Sequence, residues 1–138
     1  MIQLIYLSDL AGRDESVLAD ILASAVRHNT ASGITGMLLY AGGNFLQVLE
    51  GEADAVHKTF ARISRDPRHK NLNLLIEEEI DERQFDRWSM GFYSLTDADA
   101  QKLPAFAPYF RYGFDRSAIT ARPGVALELL QLFCNGNL

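Results

Sequence analysis

Residues 34–50 read ITGMLLYAGGNFLQVLE, two apolar runs on either side of a short glycine-rich turn. Ile34 to Ala41 and Phe45 to Glu50 each have the length of a β-strand. Gly42-Gly43-Asn44 between them is typical of a tight turn, because glycine adopts the positive φ angles that short hairpins need. We therefore predict that these two strands form an antiparallel hairpin.

The residues before this hairpin predict one strand and one helix. Ile2 to Ser8 alternates its side chains between two faces, as an extended segment does. Apolar side chains then recur at helical spacing after Asp14 or Ser16, either of which can cap a helix. Gly33 stops this helical pattern immediately before the hairpin.

The residues after the hairpin predict a second helix and two more strands. Apolar side chains have helical spacing from Ala53 to Ile63. This helix should end before Pro67, because proline disfavours the helical conformation of the residue that precedes it. Leu72 to Ile80 is predicted as the fourth strand and Trp88 to Leu95 as the fifth, with a short link between them.

This order of elements, βαββαβ extended by a strand, predicts a ferredoxin-like α+β fold. Right-handed crossovers should place both helices on one face of a mixed sheet. After Asp97 prolines interrupt short apolar segments, and Val125 to Phe133 has helical spacing. We predict one domain over residues 1–95, followed by a C-terminal helical extension over residues 96–138 that covers the other face.

Composition excludes several classes of protein. The chain has 138 residues, of which 48% are hydrophobic, enough for one core but not for two independent domains. A net charge of -5 and a pI near 5.1 argue against direct binding of nucleic acid. No apolar run approaches the roughly 20 residues of a membrane helix, and the N terminus lacks a secretory signal, so a cytoplasmic protein is expected. We predict no metal site, and Cys134 has no second cysteine with which to form an internal disulfide.

Three polar residues occupy positions that the pattern assigns to the interior. Gln47 lies mid-strand between Phe45 and Leu49, and a buried amide needs partners for its donors and its acceptor. Asn29 continues the apolar stripe of the first helix, and Tyr6 brings a hydroxyl from the first strand. Each residue taken singly also has a purely structural interpretation, but together they favour a polar, planar ligand between the helices and the sheet.

Five short motifs, in this order, resemble those of BLUF photoreceptor domains. They are residues 4–8 (LIYLS), 28–29 with 33–36 (HN and GITG), 45–51 (FLQVLEG), 66–71 (DPRHKN) and 88–90 (WSM). The resemblance covers roughly residues 1–95, and the ordered set is far more specific than any one motif. The segment after residue 96 also resembles the tail of short, stand-alone members, which append helices rather than an enzymatic domain.

The resemblance implies a flavin bound non-covalently between the two crossover helices. Its polar edge would be hydrogen-bonded by the side-chain amides of Asn29 and Gln47, which complement its carbonyl groups and its N3 donor. FAD is the expected flavin, with FMN or riboflavin as alternatives. The further cofactor-binding residues that the resemblance implies are His28, Ile34, Arg68, His69 and Lys70.

The resemblance also implies a photochemical role for two residues. Tyr6 would donate an electron and a proton to the light-excited flavin, and Gln47 would then rotate or tautomerise. Trp88 and Met90, predicted on one face of the fifth strand, would relay this change. Ala25 stands where relatives often carry a serine, so the stability of the dark state is expected to differ here.

A photoreceptor without catalytic activity of its own is therefore expected, homo-oligomeric and signalling to a separate protein effector rather than to nucleic acid or a membrane. An acylphosphatase-like hydrolase is one alternative, because ferredoxin-like folds can host a substrate-binding arginine and a water-orienting asparagine. A ligand-free oligomerisation module is another. For that module the apolar residues in 106–114 and 125–133 would suffice.

Overall fold

Five strands form one sheet in the computed structural model, which describes residues 1–111 and 113–134. In chain order they are β1 (Ile2–Leu10), β2 (Thr35–Ala41), β3 (Asn44–Gly51), β4 (His69–Glu79) and β5 (Gly91–Leu95). Their order across the sheet is β4-β1-β3-β2-β5. All neighbouring strands are antiparallel except β2 and β5, which are parallel. The mixed sheet and the ferredoxin-like α+β prediction are confirmed.

Within residues 1–111 and 113–134, five α-helices and two short 3-10 helices accompany the sheet. The α-helices are α1 (Leu18–Ser32), α2 (Ala53–Ser64), α3 (Asp97–Gln101), α4 (Arg116–Ala121) and α5 (Gly124–Cys134), and the 3-10 helices are Glu15–Val17 and Pro104–Tyr109. The predicted C-terminal helices are thus present, although residues 112 and 135–138 of the predicted extension lie outside the described residues. Across the described ranges, no helix is long and apolar enough to span a bilayer.

The ends of the crossover helices follow the sequence signals. Asp14 accepts a hydrogen bond from the backbone N–H of Ser16, which caps the 3-10 helix that leads into α1. α1 ends at Gly33, whose φ of 68° lies in the left-handed region that favours glycine. α2 ends two residues before Asp66 and does not reach Pro67. These predicted boundaries are confirmed.

Strand pairing brings the central polar residues together. Gln47 of β3 lies opposite Tyr6 on β1 and opposite Leu38 on β2. Cross-strand partners share a face of the sheet, so these three side chains point to the same side. Gly42 and Gly43, with φ angles of 52° and 90°, make the turn that sets the register of β2 against β3.

Alternation along the strands divides the interior into two apolar cores. One core joins the sheet to the crossover helices, and we call this side the helix face; among its members are Leu4, Tyr6, Leu38, Phe45, Leu49, Ile21 of α1 and Val56 of α2. The other core joins the sheet to the C-terminal helices, and we call this side the tail face; among its members are Ile5, Leu7, Leu39, Leu46, Val48 and, from α5, Leu129, Leu130 and Phe133. The C-terminal helices therefore cover the second face, as predicted.

Two predicted strand boundaries are wrong. β4 begins at His69 rather than at Leu72, because His69 and Lys70 already pair with the last residues of β1. β5 begins at Gly91 rather than at Trp88, and its pairing with β2 begins with Gly91 opposite Met37. Residues 88–90 instead form an irregular segment in front of the strand.

The prediction that Trp88 and Met90 share a strand face is consequently wrong. Met90 is 5% exposed and belongs to the helix-face core, whereas Trp88 is 38% exposed. A Cβ atom added to Gly91 would lie 2.8 Å from Cε3 of Trp88 and 2.6 Å from Sδ of Met37. Because Met37 belongs to the tail-face core, Trp88 packs on the side of the sheet opposite to Met90.

Candidate functional site

A cleft of about 400 Å³ opens between α1, α2 and the helix face of the sheet. This volume lies within the range of roughly 300–1,000 Å³ that is typical of small-molecule and cofactor sites. The cleft is lined by Ile21, Ser24, Ala25, His28, Asn29, Gln47, Arg62, Ile63, Arg65, Asp66, Arg68 and His69. It combines apolar walls with several hydrogen-bonding groups, as a site for a planar, polar ligand requires.

The amide of Gln47 lies at the floor of this cleft with both of its ends bonded. The side chain is 2% exposed, and its Oε1 atom accepts a hydrogen bond from the hydroxyl of Tyr6. Its Nε2 atom donates toward Sδ of Met90 at 3.4 Å. A strong donor thus holds one end of the amide, whereas a thioether, which is a weak acceptor, holds the other.

Tyr6 keeps its proton in this environment. It is fully buried behind Gln47, and its ring packs edge-on against that of Phe60 with 5.2 Å between the centroids. Burial raises the pKa of the Tyr6 phenol well above its ordinary value, and the nearby charge of Asp66 raises it further. The phenol is therefore a neutral hydrogen-bond donor at physiological pH.

Asn29 presents an unsatisfied acceptor to the cleft. The residue lies at the C-terminal end of α1, is 1% exposed, and donates through Nδ2 to the backbone carbonyl of Ser89 at 2.8 Å. Its Oδ1 atom is buried and has no hydrogen-bond partner among residues 1–111 and 113–134. A buried carbonyl oxygen without a hydrogen-bond donor destabilises the folded protein, so an N–H group of a ligand would be a favourable partner for this atom.

The opposite wall of the cleft is cationic. Arg62 and Arg65 come from α2 or its C-terminal end, and Arg68 follows in the turn that leads to β4. Arg68 forms an ion pair with Asp66, with 2.6 Å between Nη2 of the arginine and Oδ2 of the carboxylate. This ion pair lowers the pKa of the Asp66 carboxyl group. Burial lowers the pKa of the Arg62 guanidinium, and such a partly desolvated cation favours an electron-rich ligand group nearby.

His69 is neutral at physiological pH. It is 8% exposed, its Nδ1 atom lies 3.1 Å from Oγ of Ser8, and its ring packs against that of Phe45. Burial lowers its pKa to about 4, outweighing the attraction of Asp66 for the protonated form. It offers the cleft a hydrogen-bonding ring rather than a positive charge.

The structure brings most of the predicted site residues together, but not all of them. His28, Asn29, Gln47, Arg68 and His69 line the cleft, and Tyr6 and Met90 bond to Gln47 behind it. Two predicted cofactor-binding residues do not line it. Ile34 is 1% exposed within the helix-face core, and the side chain of Lys70 is exposed on β4.

Sequence reasoning missed Arg62, Ile63 and Ser24 as lining residues. Arg62 follows the buried Val56 and Thr59 at intervals of three residues, which places it on the inward edge of α2. That spacing was visible in the sequence, but a charged residue at a helical position normally indicates solvent exposure. Ala25, noted for the absence of a serine, does lie in the cleft wall.

A family model described as BLUF, sensors of blue-light using FAD, matches residues 1–91. The chain belongs to the BLUF family. Its match to the photoactivated adenylate cyclase subunit beta of Euglena gracilis is 37% identical over 92 residues, which are 66% of this chain and 10% of that protein. Its match to the blue light- and temperature-regulated antirepressor BluF of Escherichia coli is 35% identical and covers 67% of this chain and 23% of the other.

Among solved BLUF structures, the dark state of BlrB matches with a TM-score of 0.73 and 30% identity. That match covers 98% of this chain and 96% of BlrB. The chain spans only about a tenth of the length of the cyclase subunit. The likeness to the larger proteins is thus a likeness to their BLUF domains, whereas the likeness to BlrB includes the C-terminal helices.

The residues of the cleft fit the flavin that the family description names. The N3–H group of a flavin is a donor that suits the unpartnered Oδ1 atom of Asn29. The apolar walls formed by Ile21, Ala25 and Ile63 suit the two faces of an aromatic ring. The predicted family and fold are confirmed, and the roles of individual residues stay predictions.

Proposed function

We propose that this chain is a blue-light photoreceptor that binds a flavin in the cleft between α1 and α2 and switches through Tyr6 and Gln47. The observation that carries the proposal is the buried Gln47 amide, bonded by the Tyr6 hydroxyl at one end and by Met90 at the other. It faces a cleft in which Asn29 holds an unpartnered acceptor. A bound flavin would supply a light-excited state that is a strong oxidant.

The bonding of Gln47 suits an exchange of its two ends. The hydroxyl of Tyr6 can accept a hydrogen bond as well as donate one, so it can serve an N–H group that comes to face it. At the other end the exchange gives up only a weak contact with the Met90 sulfur. Rotation of the amide, or a tautomeric change with the same outcome, therefore costs little and reverses donor and acceptor without changing volume.

A separate set of residues would bind the flavin. Oδ1 of Asn29 would accept a hydrogen bond from the N3–H group of the flavin. Arg62, on the cleft wall, would donate to an electron-rich carbonyl of the flavin. Arg65 and Arg68 are the candidates for the phosphate, with His28 and His69 beside the ring. Two cations near the phosphate, Arg65 and Arg68, favour FAD or FMN over riboflavin, and we take FAD as the native cofactor.

We further propose that residues 1–95 are the sensor and residues 96–138 an extension that passes the signal to a separate protein effector. Two relatives, a photoactivated adenylate cyclase subunit and a blue light- and temperature-regulated antirepressor, link BLUF domains to effectors of different kinds. A homo-oligomeric, cytoplasmic sensor without enzymatic activity of its own is the form in which we expect this chain to act.

The absorption spectrum tests this function directly. The flavin-loaded protein should be yellow, and blue light should shift its flavin bands reversibly toward red. Tyr6→Phe should keep the flavin and lose the shift, while Tyr93→Phe, which removes a hydroxyl from the tail side, should respond like the parent. A normal photocycle in Tyr6→Phe would show that Tyr6 is not the donor.

The two alternatives have less support. For a phosphatase, a glycine-rich loop would have to bind the substrate phosphate beside Arg68, but residues 64–73 contain no glycine. For an oligomerisation module, the apolar face of 125–133 would have to be free, but it packs against the sheet. A colourless protein that hydrolyses acyl phosphates would nevertheless favour the first alternative, and a colourless, inert oligomer the second.

A further inference from the structure

Residues 81–90, which we call the connecting segment, lead from the end of β4 to β5 and reach the floor of the cleft. At its end, the carbonyl of Ser89 accepts from Nδ2 of Asn29 at 2.8 Å, and Sδ of Met90 accepts from Nε2 of Gln47 at 3.4 Å. The position of this segment therefore decides which partners the two cleft amides have.

The start of the connecting segment is held by a buried carboxylate that the photochemistry does not use. Glu50 of β3 is 0% exposed, three residues beyond Gln47 and on the tail face of the strand. Its oxygens accept from the backbone N–H of Gln84 at 2.9 and 3.1 Å and from that of Phe85 at 2.7 Å. Nε2 of Gln3 donates to the same group at 2.9 Å.

The same part of the connecting segment contacts the C-terminal helices. Oε1 of Gln84 accepts from Nε2 of Gln131 in α5 at 2.9 Å. The side chain of Phe85 is fully buried in the tail-face core, together with Leu129 and Leu130 of α5. A displacement of residues 84–85 would thus change their contacts with α5. A displacement of residues 89–90 would change the hydrogen bonds of Asn29 and Gln47 in the cleft.

We propose that Glu50 is a positioning residue that couples the Gln47 site to α5 by fixing the connecting segment against β3. This inference rests on the proposed function and extends it to the route of the signal. A carboxylate only accepts hydrogen bonds, and Glu50 receives three donors, two of them backbone N–H groups. With the segment fixed at this point, a change in the Gln47–Met90 contact is transmitted along the segment instead of being absorbed by a loose loop.

Glu50→Gln tests the coupling with almost no change in volume. The amide that replaces the carboxylate has an N–H₂ group in place of one acceptor oxygen. At least one of the three donors around position 50 therefore loses its acceptor, and residues 84–85 are fixed less firmly against β3. Tyr6 and Gln47 are untouched, so the red shift should persist. The light-induced change in amide hydrogen exchange of α5, measured by mass spectrometry on the flavin-loaded full chain, should be lost. Unchanged light-dependent exchange of α5 would overturn the proposal.

Two control variants separate positioning from stability and charge. Glu78→Gln makes the same charge change at an exposed residue of β4, which pairs with Gln3 across the other edge of β1. This variant should retain the α5 response. Ile119→Val loosens the tail-face core from α4, outside the connecting segment, and leaves the carboxylate bonds intact. It should lower the melting temperature but keep the response. If Ile119→Val loses the α5 response as well, Glu50 has only a structural role and the proposal fails.

Two further variants keep the inference testable if Glu50→Gln does not fold. Gln131→Leu breaks the link at the α5 end and should keep the red shift while losing the α5 response; a retained response contradicts the coupling route. Gln3→Glu added to Glu50→Gln supplies an acceptor for the new amide and should restore part of the response. A parent protein without any red shift would instead contradict the proposed photoreceptor function itself, and one with the shift but no α5 response contradicts only the coupling.

Discussion

The Nε2 atom of Gln47 lies 3.4 Å from the Sδ atom of Met90, while the Oε1 atom of the same amide accepts a hydrogen bond from the Tyr6 hydroxyl. The sulfur therefore supports one orientation of the amide, with oxygen toward Tyr6 and nitrogen toward Met90. In the exchanged orientation oxygen would face sulfur, and neither atom has a proton to donate. Met90 thus biases the switch toward its resting state.

Met90→Leu removes that bias at nearly constant volume. We expect the flavin to remain bound and the red shift to persist, but the resting orientation to lose about 0.5 kcal/mol, the low end of the net value of a hydrogen bond. This corresponds to about a twofold shift toward the exchanged state. Recovery in the dark, followed by absorption after a blue-light pulse, should be slower. Met37→Leu, on the tail face, is the matched control and should recover like the parent.

Asn29→Leu should weaken flavin binding. It removes the unpartnered Oδ1 acceptor and the bond from Nδ2 to the Ser89 carbonyl. A lost hydrogen bond in a buried site costs about 1–3 kcal/mol, so we expect the dissociation constant to rise by about five- to 140-fold. Quenching of flavin fluorescence during titration measures it. Asn73→Leu removes a half-buried amide on the tail face, where it donates to Thr120, and should bind flavin as the parent does; equal affinities for the two variants would rule out Asn29 as a ligand.

The hairpin, both crossover helices and the three central polar residues were predictable because their signals are local. A glycine turn sets the pairing of β2 with β3, and alternation then places Gln47 inward opposite Tyr6. Asn29 was found because helical spacing carried it onto the buried stripe of α1. In each case the deciding residues lie within a few positions of one another in the chain.

The misjudged features depend on contacts between distant parts of the chain. Residues 88–90 have strand-like composition, but Asn29 holds the carbonyl of Ser89 and the N–H of Gly36 donates to the carbonyl of Trp88, so the strand starts later. Trp88 consequently packs against Gly91 on the tail face. The role of Glu50 was equally hidden, because its partners at positions 84 and 85 come from a segment without periodicity.

The buried His69 predicts a specific dependence of stability on pH. Its folded pKa of about 4 lies below the ordinary 6.5, so the unfolded chain binds the proton more readily between these values. The contribution of His69 to the free energy of unfolding is therefore fully present above pH 6.5 and is lost as the pH falls toward 4, by about 3 kcal/mol in all.

Urea unfolding at several pH values and fixed flavin concentration measures this dependence. The free energy of unfolding should decline less steeply with falling pH for His69→Gln than for the parent. The exposed His57→Gln is the control and should decline like the parent; parallel curves for all three proteins would contradict a neutral, buried His69.

Gly91→Ala should destabilise the fold at the point where the connecting segment joins β5. The added methyl group would lie 2.6 Å from Sδ of Met37 and 2.8 Å from Cε3 of Trp88, so both side chains must move. Overpacking of this kind costs about 1–3 kcal/mol in the free energy of unfolding, which urea denaturation of the flavin-loaded protein can measure.

Gly124→Ala is the control: nothing lies within 4 Å of its added methyl group, and at the start of α5 alanine is the better helix former. It should leave the free energy of unfolding unchanged or raise it by up to about 1 kcal/mol. A Gly91→Ala protein as stable as the parent would mean that both side chains move away at little cost, and the packing of Trp88 on the tail face would then contribute little to the fold.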